Sequence, residues 1–184
     1  MFIALSLLWV SCESEYSKLV KREMTTGQVY TDLFFDLEMG QTRKNFYDRC
    51  WNLNAQKVIS QGPGNNYARY LIPVTDGKDT SNIEMLFYGI FDTQDIMRGM
   101  DMKFSYTSYA PWNEIRHSDQ LMEALKEKYM KDYPGNEFIK IDLDLEYGEA
   151  VVKVDGNRQI VMYPLSQKDV AVKIEDLRFK DISG

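Results

Sequence analysis

Histidine occurs once in the 184 residues of this chain and cysteine twice. His117, Cys12 and Cys50 cannot by themselves complete an ordinary four-ligand zinc site, so no zinc centre is expected. Basic residues are also in deficit, 22 against 28 acidic ones, giving a net charge of -6. That balance leaves too little positive charge to neutralise a phosphate backbone, and nucleic acid is excluded as a partner. No apolar run reaches the ~20 residues that a membrane-spanning helix needs. The calcium-loop spacing of an EF-hand, a Walker loop, a dinucleotide fingerprint and a GxSxG elbow are all missing. No metal and no cofactor is therefore expected, and no catalytic residue stands out.

What is present favours a folded domain. Hydrophobic residues make up 44% and charged residues 27% of the chain, enough apolar surface to offset chain entropy and too short a chain for two comfortable cores. The sharpest shift in composition is at the start. Residues 1–11, MFIALSLLWVS, are apolar and are followed by Cys12 and then by Glu13, Ser14 and Glu15. About ten apolar residues match the core of a secretory signal. Val10, Ser11 and Cys12 at the end of such a run resemble the lipobox of bacterial lipoproteins. That resemblance implies lipid attachment at Cys12, with the membrane as a partner through acyl chains. Each buried acyl CH₂ contributes ~0.8 kcal/mol, so two or three chains hold a protein firmly. Glu13 and Glu15 are similar to the acidic surface-export signal of Bacteroidetes lipoproteins. The expected location is the outer membrane of a bacterial envelope, facing the periplasm or the exterior. A plain cleaved signal and a buried first strand are the competing readings of the same run.

The expected organisation is a signal peptide and lipobox over residues 1–12, a tether with a short helix over 13–27, and one α+β domain over 28–184. Its halves would be about 28–110 and 111–184. The short helix carries Tyr16, Leu19, Val20 and Glu23 and stops at Gly27; its Lys18, Lys21 and Arg22 form the one tight basic group. A second helix is capped by Thr42, with Phe46, Tyr47, Cys50, Leu53 and Asn54 on one broad stripe. Cys50 reads as a small core residue, and a Cys12–Cys50 disulfide stays open if Cys12 is not acylated.

After the QGPGNN loop the period changes from helical to two. Three strands follow, with IEMLFYGIF in the middle, apolar on both faces. Ser118 is expected to cap a third helix bearing Leu121, Met122, Leu125 and Tyr129, which Pro134 and Gly135 end. Strands then resume, with a tight hairpin at Asp155, Gly156 and Asn157. The fold class is α+β, an antiparallel sheet with helices packed on one face. Two helix-plus-three-strand halves would fit an old duplication, or simply one mixed sheet.

The stretch LFFDLEMGQTRKNFYDRCWNLN, with QGPGNN and VKVDGNRQIVMY, resembles a family of uncharacterised envelope lipoproteins from Bacteroidetes. Gly40, Gln41 and Thr42 before a short helix are similar to the helix start of small outer-membrane-assembly lipoproteins of the BamE/SmpA type. Those are non-catalytic scaffolds, and the likeness implies binding rather than turnover.

Two constellations remain. Asp142, Asp144 and Glu146 alternate as on a strand, project in parallel and do not converge as calcium ligands must, so they read as a solvated face. Tyr106, Tyr109 and Trp112, beside Pro111 at the junction of the halves, form the candidate binding surface for an envelope protein, a glycan or a peptide. The leading expectation is a lipid-anchored, non-enzymatic protein presenting a binding or assembly surface. The alternative is an envelope hydrolase whose two carboxylates are brought together by folding.

Overall fold

A computed structural model of the chain describes residues 14–65, 67–73 and 82–180. The signal and lipid-attachment expectations for residues 1–12, Cys12 included, fall outside these residues, as do positions 76–81 of the turn that the DGKDTSN stretch, 76–82, leads one to expect. Three helices, α1 (Glu15–Thr25), α2 (Arg43–Ala55) and α3 (Ser118–Asp132), accompany eight strands. The strands are β1 (Ser60–Gln61), β2 (Ala68–Pro73), β3 (Asn82–Phe91), β4 (Met97–Tyr106), β5 (Ile139–Ile141), β6 (Ala150–Asp155), β7 (Arg158–Pro164) and β8 (Val170–Asp176). They form one antiparallel sheet in the order β1-β2-β3-β4-β8-β7-β6-β5.

The α+β class is as expected, and the order shows how the halves combine. Each helix of the pair α2 and α3 precedes a four-strand meander, and the meanders meet where β4 pairs with β8. The first half has four strands where three were expected. In the first half the added strand, β1, is two residues long, too short for any period to be read from it. β3 is the interior strand of its own meander, but β4 and β8 hold the centre of the sheet.

Side chains alternate between the two faces of a strand. On one face Phe87, Met100, Phe104, Ile160, Met162, Val172 and Ile174 pack against Phe46 and Leu53 of α2 and Leu121, Leu125 and Tyr129 of α3. Helices on one face therefore describes α2 and α3 only. α1 lies on the opposite face, where Leu19 and Val20 bury themselves against Val152, Val154 and Leu177. Its attachment follows from β6, which turns Val152 and Val154 to this face, an apolar pair that demands cover. Burying Leu19 and Val20 contributes about 1.5–3 kcal/mol each. From Glu15 onward the expected tether is thus a docked helix.

Local signals behave as their chemistry requires. The Ser14 and Thr42 hydroxyls accept hydrogen bonds from the Ser17 and Asn45 amides and cap α1 and α2. Ser118 departs from expectation: it is the first residue of α3, and its amide donates to the Gln167 carbonyl at 2.8 Å. The β6–β7 hairpin turns at Gly156, whose φ of 52° and contact with the Gln28 backbone leave no room for a side chain.

One charged group is sealed within the helix-covered face. Lys153 is fully buried and meets Asp155 at 2.8 Å while donating to the Asn136 carbonyl. The Asn136 amide donates to Asp155 Oδ1 at 2.8 Å, tying the loop after α3 to the hairpin. Beside it, Arg158 lies between the rings of Tyr30 and Tyr133 at 4.9 and 4.4 Å.

Candidate functional site

The face carrying α1 is only partly covered. α1 is short and rests over the β5–β6 end of the sheet, so beyond its first turn the surface of β7 and β8 lies open. There a groove of about 500 Å³ runs between the start of α1, the β5 edge and these two strands. Such a volume falls in the range of small-ligand sites. Its apolar wall is Ile141, Leu143, Val161 and the Tyr163 ring.

Its polar wall is a single connected network. The Tyr16 hydroxyl donates to Gln159 Oε1 at 2.5 Å, and Gln159 Nε2 donates to Glu175 Oε2 at 3.2 Å. Glu175 also meets Lys180 at 2.7 Å and Lys173 at 3.0 Å. Burial opposes ionisation of Glu175, but hydrogen bonds from Lys180 and Lys173 outweigh it and hold the carboxyl below its ordinary range. Burial, with Glu175 nearby, raises the Tyr16 phenol. Asp101 pairs across the strands with Lys173, and its own burial raises its carboxyl despite that lysine.

The residues singled out from sequence do not assemble into one surface. Tyr106 is a core residue, 6% exposed, with the Arg116 guanidinium 4.7 Å above its ring. It belongs to β4, whose alternation turns it toward the helix-covered core, so it is withdrawn from the candidate surface. Tyr109 is half-buried against the His117 ring at 5.7 Å. Trp112 is 86% exposed. The acidic run departs from its expected strand: β5 ends at Ile141, and Asp142, Asp144 and Glu146 are exposed in the following loop. Among the described residues no group of three or more His, Cys, Asp or Glu is placed to hold a metal ion. Cys50 is half-buried, and burial pushes its thiol up to about 11, which keeps it protonated and unreactive at neutral pH.

The groove went unread because its parts lie far apart in sequence. Tyr16 and Gln159 are separated by 143 residues, and only strand pairing brings them to one face. The local trace was the outward alternation of Gln159, Val161 and Tyr163 against Lys173 and Glu175, polar and aromatic on a face that a fully covered sheet would fill with aliphatics. No protein-family model, curated protein or solved structure matches this chain.

Proposed function

We propose that the chain is a non-enzymatic protein, held at the outer membrane of a bacterial envelope by lipid on Cys12, that binds a protein or ligand in the groove over β7 and β8. Membership among the envelope lipoproteins that its sequence resembles is part of the same proposal. The observation that carries the binding reading is the state of Glu175. This carboxylate in the floor of the groove is already engaged by Lys173, Lys180 and Gln159, which suits a fixed recognition wall better than a proton carrier. The anchor reading rests on the apolar run that ends in Cys12. Ser14, two residues on, lines the groove, so acyl chains on Cys12 would enter the bilayer within ~7 Å of its rim.

A Cys12→Ala variant tests the anchor, read by membrane fractionation and intact mass. Loss of membrane partitioning together with a mass lower by the acyl groups is expected; equal partitioning and a mass differing only by the substitution would end the lipoprotein reading. The groove is tested by Gln159→Ala, which should weaken capture of the bound partner while leaving partitioning unchanged.

One observation favours the hydrolase alternative. Asp101 and Glu175 sit on neighbouring strands of one face with shifts in opposite directions, the pattern that separates an acid from a base. Hydrolysis of chromogenic esters or glycosides, abolished by both Asp101→Asn and Glu175→Gln, would establish it in place of the binding reading.

A further inference from the structure

A second groove lies at the other end of the molecule, on the helix-covered side, and its chemistry differs from the first. α2 carries Tyr47, Cys50, Trp51 and Asn54 at positions i, i+3, i+4 and i+7, one stripe beside the buried Phe46 and Leu53. This stripe faces the short β1 strand and the start of β2 across a space of about 390 Å³, with Ser60 and Tyr67 on the far wall. Trp51 is 76% exposed, Tyr47 56% and Tyr67 37%. Large aromatics left this open on a packed helix are informative, because burying them elsewhere would stabilise the fold.

The rings are braced. Tyr47 meets Phe46 edge-on at 5.4 Å, and Tyr67 meets Tyr88 edge-on at 5.5 Å. Gly62 lets the segment before β2 close tightly, since a side chain there would press on Tyr67 and Leu86. Asn54 Nδ2 donates to the Ile59 carbonyl at 3.3 Å, which orients the amide; an amide has a second N–H and an oxygen with two lone pairs besides.

Among the described residues none that lines this groove is charged, in a chain where 27% of residues are charged. The sheet-face groove is rimmed instead by Lys140, Lys173, Lys180 and Glu175. Arg43, which bonds Tyr47 and Asp95, and the Lys44–Asp48 pair lie outside this lining, so an ionic ligand would find no counter-charge within it. A purely apolar one would strip water from the second N–H and the oxygen of Asn54 and from the Ser60 hydroxyl without replacing its hydrogen bonds. A sugar ring has what both parts of the wall require: C–H faces that lie against aromatic rings and hydroxyls that exchange hydrogen bonds with amide and hydroxyl groups.

We propose that the groove between α2 and the β1–β2 edge binds a neutral saccharide, with Trp51 and Tyr47 as stacking platforms and Asn54 and Ser60 as hydrogen-bonding partners for ring hydroxyls. This site is separate from the groove over β7 and β8 and does not depend on the lipid anchor.

The test is a titration of the full chain with cellohexaose, maltohexaose and chitohexaose, followed by tryptophan fluorescence and calorimetry. At least one should bind with Kd below ~1 mM. Trp51→Ala should weaken that binding about tenfold or more, while Trp51→Phe keeps most of it and Trp112→Ala all of it. Affinity should be unchanged between ~50 and ~500 mM NaCl, since no charge pair is involved. Unchanged thermal melting of Trp51→Ala would show that the loss is local, as its exposure requires. Failure of all three sugars to bind at ~10 mM, or equal binding by Trp51→Ala and the parent, overturns the proposal. A concentration-dependent dimer that Trp51→Ala dissolves would also overturn it, making the groove an interface between copies.

Discussion

The two faces of the sheet are built from alternate residues of the same strands, yet they are finished in different ways. Under α2 and α3 the face is closed by large apolar side chains, with Phe87, Met100 and Leu121 fully buried. On the opposite face α1 covers only one end, and the rest carries Tyr88, Asp101, Lys173 and Glu175, partly exposed. Dense apolar packing makes the first face the source of stability. The second keeps polar groups in a linked network beside open space, which is what recognition needs and what stability alone would remove.

The contrast can be broken most severely at the sealed charge pair. Lys153→Ala leaves the Asp155 carboxylate buried without its cation and should cost about 3–5 kcal/mol, measured as a lower urea midpoint. A loss under about 1 kcal/mol would mean that water reaches the pair and that the face is not closed. Next comes a matched pair of truncations. Leu125→Ala, beneath α3, should cost about 3–4 kcal/mol, and Leu19→Ala, beneath α1, about 2. Equal costs would make α1 as integral to the fold as α3, and the distinction between the faces would lapse.

Smaller effects should come from the open face itself. Tyr16→Phe removes the hydrogen bond to Gln159 and should cost about 1 kcal/mol; faster amide exchange in the first turn of α1 would show that the bond holds the rim of the groove. The smallest effect is a change in pH dependence. Because Glu175 titrates below its ordinary 4.5 in the folded chain, its stabilising contribution is complete above that value and is lost as pH falls through the folded value. Glu175→Gln should therefore flatten the acid side of the stability profile, read as urea midpoints from acid to neutral pH. An acid limb identical to the parent's would show that Lys173 and Lys180 do not depress this carboxyl.

Much of the fold could be read from residues near one another in the chain. Thr42 capped the helix it was expected to cap, Gly156 turned its hairpin, and the alternation through Met102, Phe104 and Tyr106 is strand β4. Legibility failed where an element was too short to show a period, as at Ser60 and Gln61, or where a residue's surroundings came from elsewhere. Tyr106 shows the second failure. Its sequence neighbours, Tyr109 and Trp112, suggested a surface, but strand register turned it inward beneath Arg116. Trp51 is the converse case, an aromatic beside the core stripe of α2 that the tertiary fold leaves in solvent.

Composition and period by themselves determined that this chain makes helices and antiparallel strands, because those signals depend on side-chain chemistry within a few residues. Which face each helix covers, how the two meanders join at β4 and β8, and where grooves remain were decided by tertiary structure alone. Contacts such as Tyr16 with Gln159 link residues 143 positions apart, and no local pattern encodes a partner at that distance.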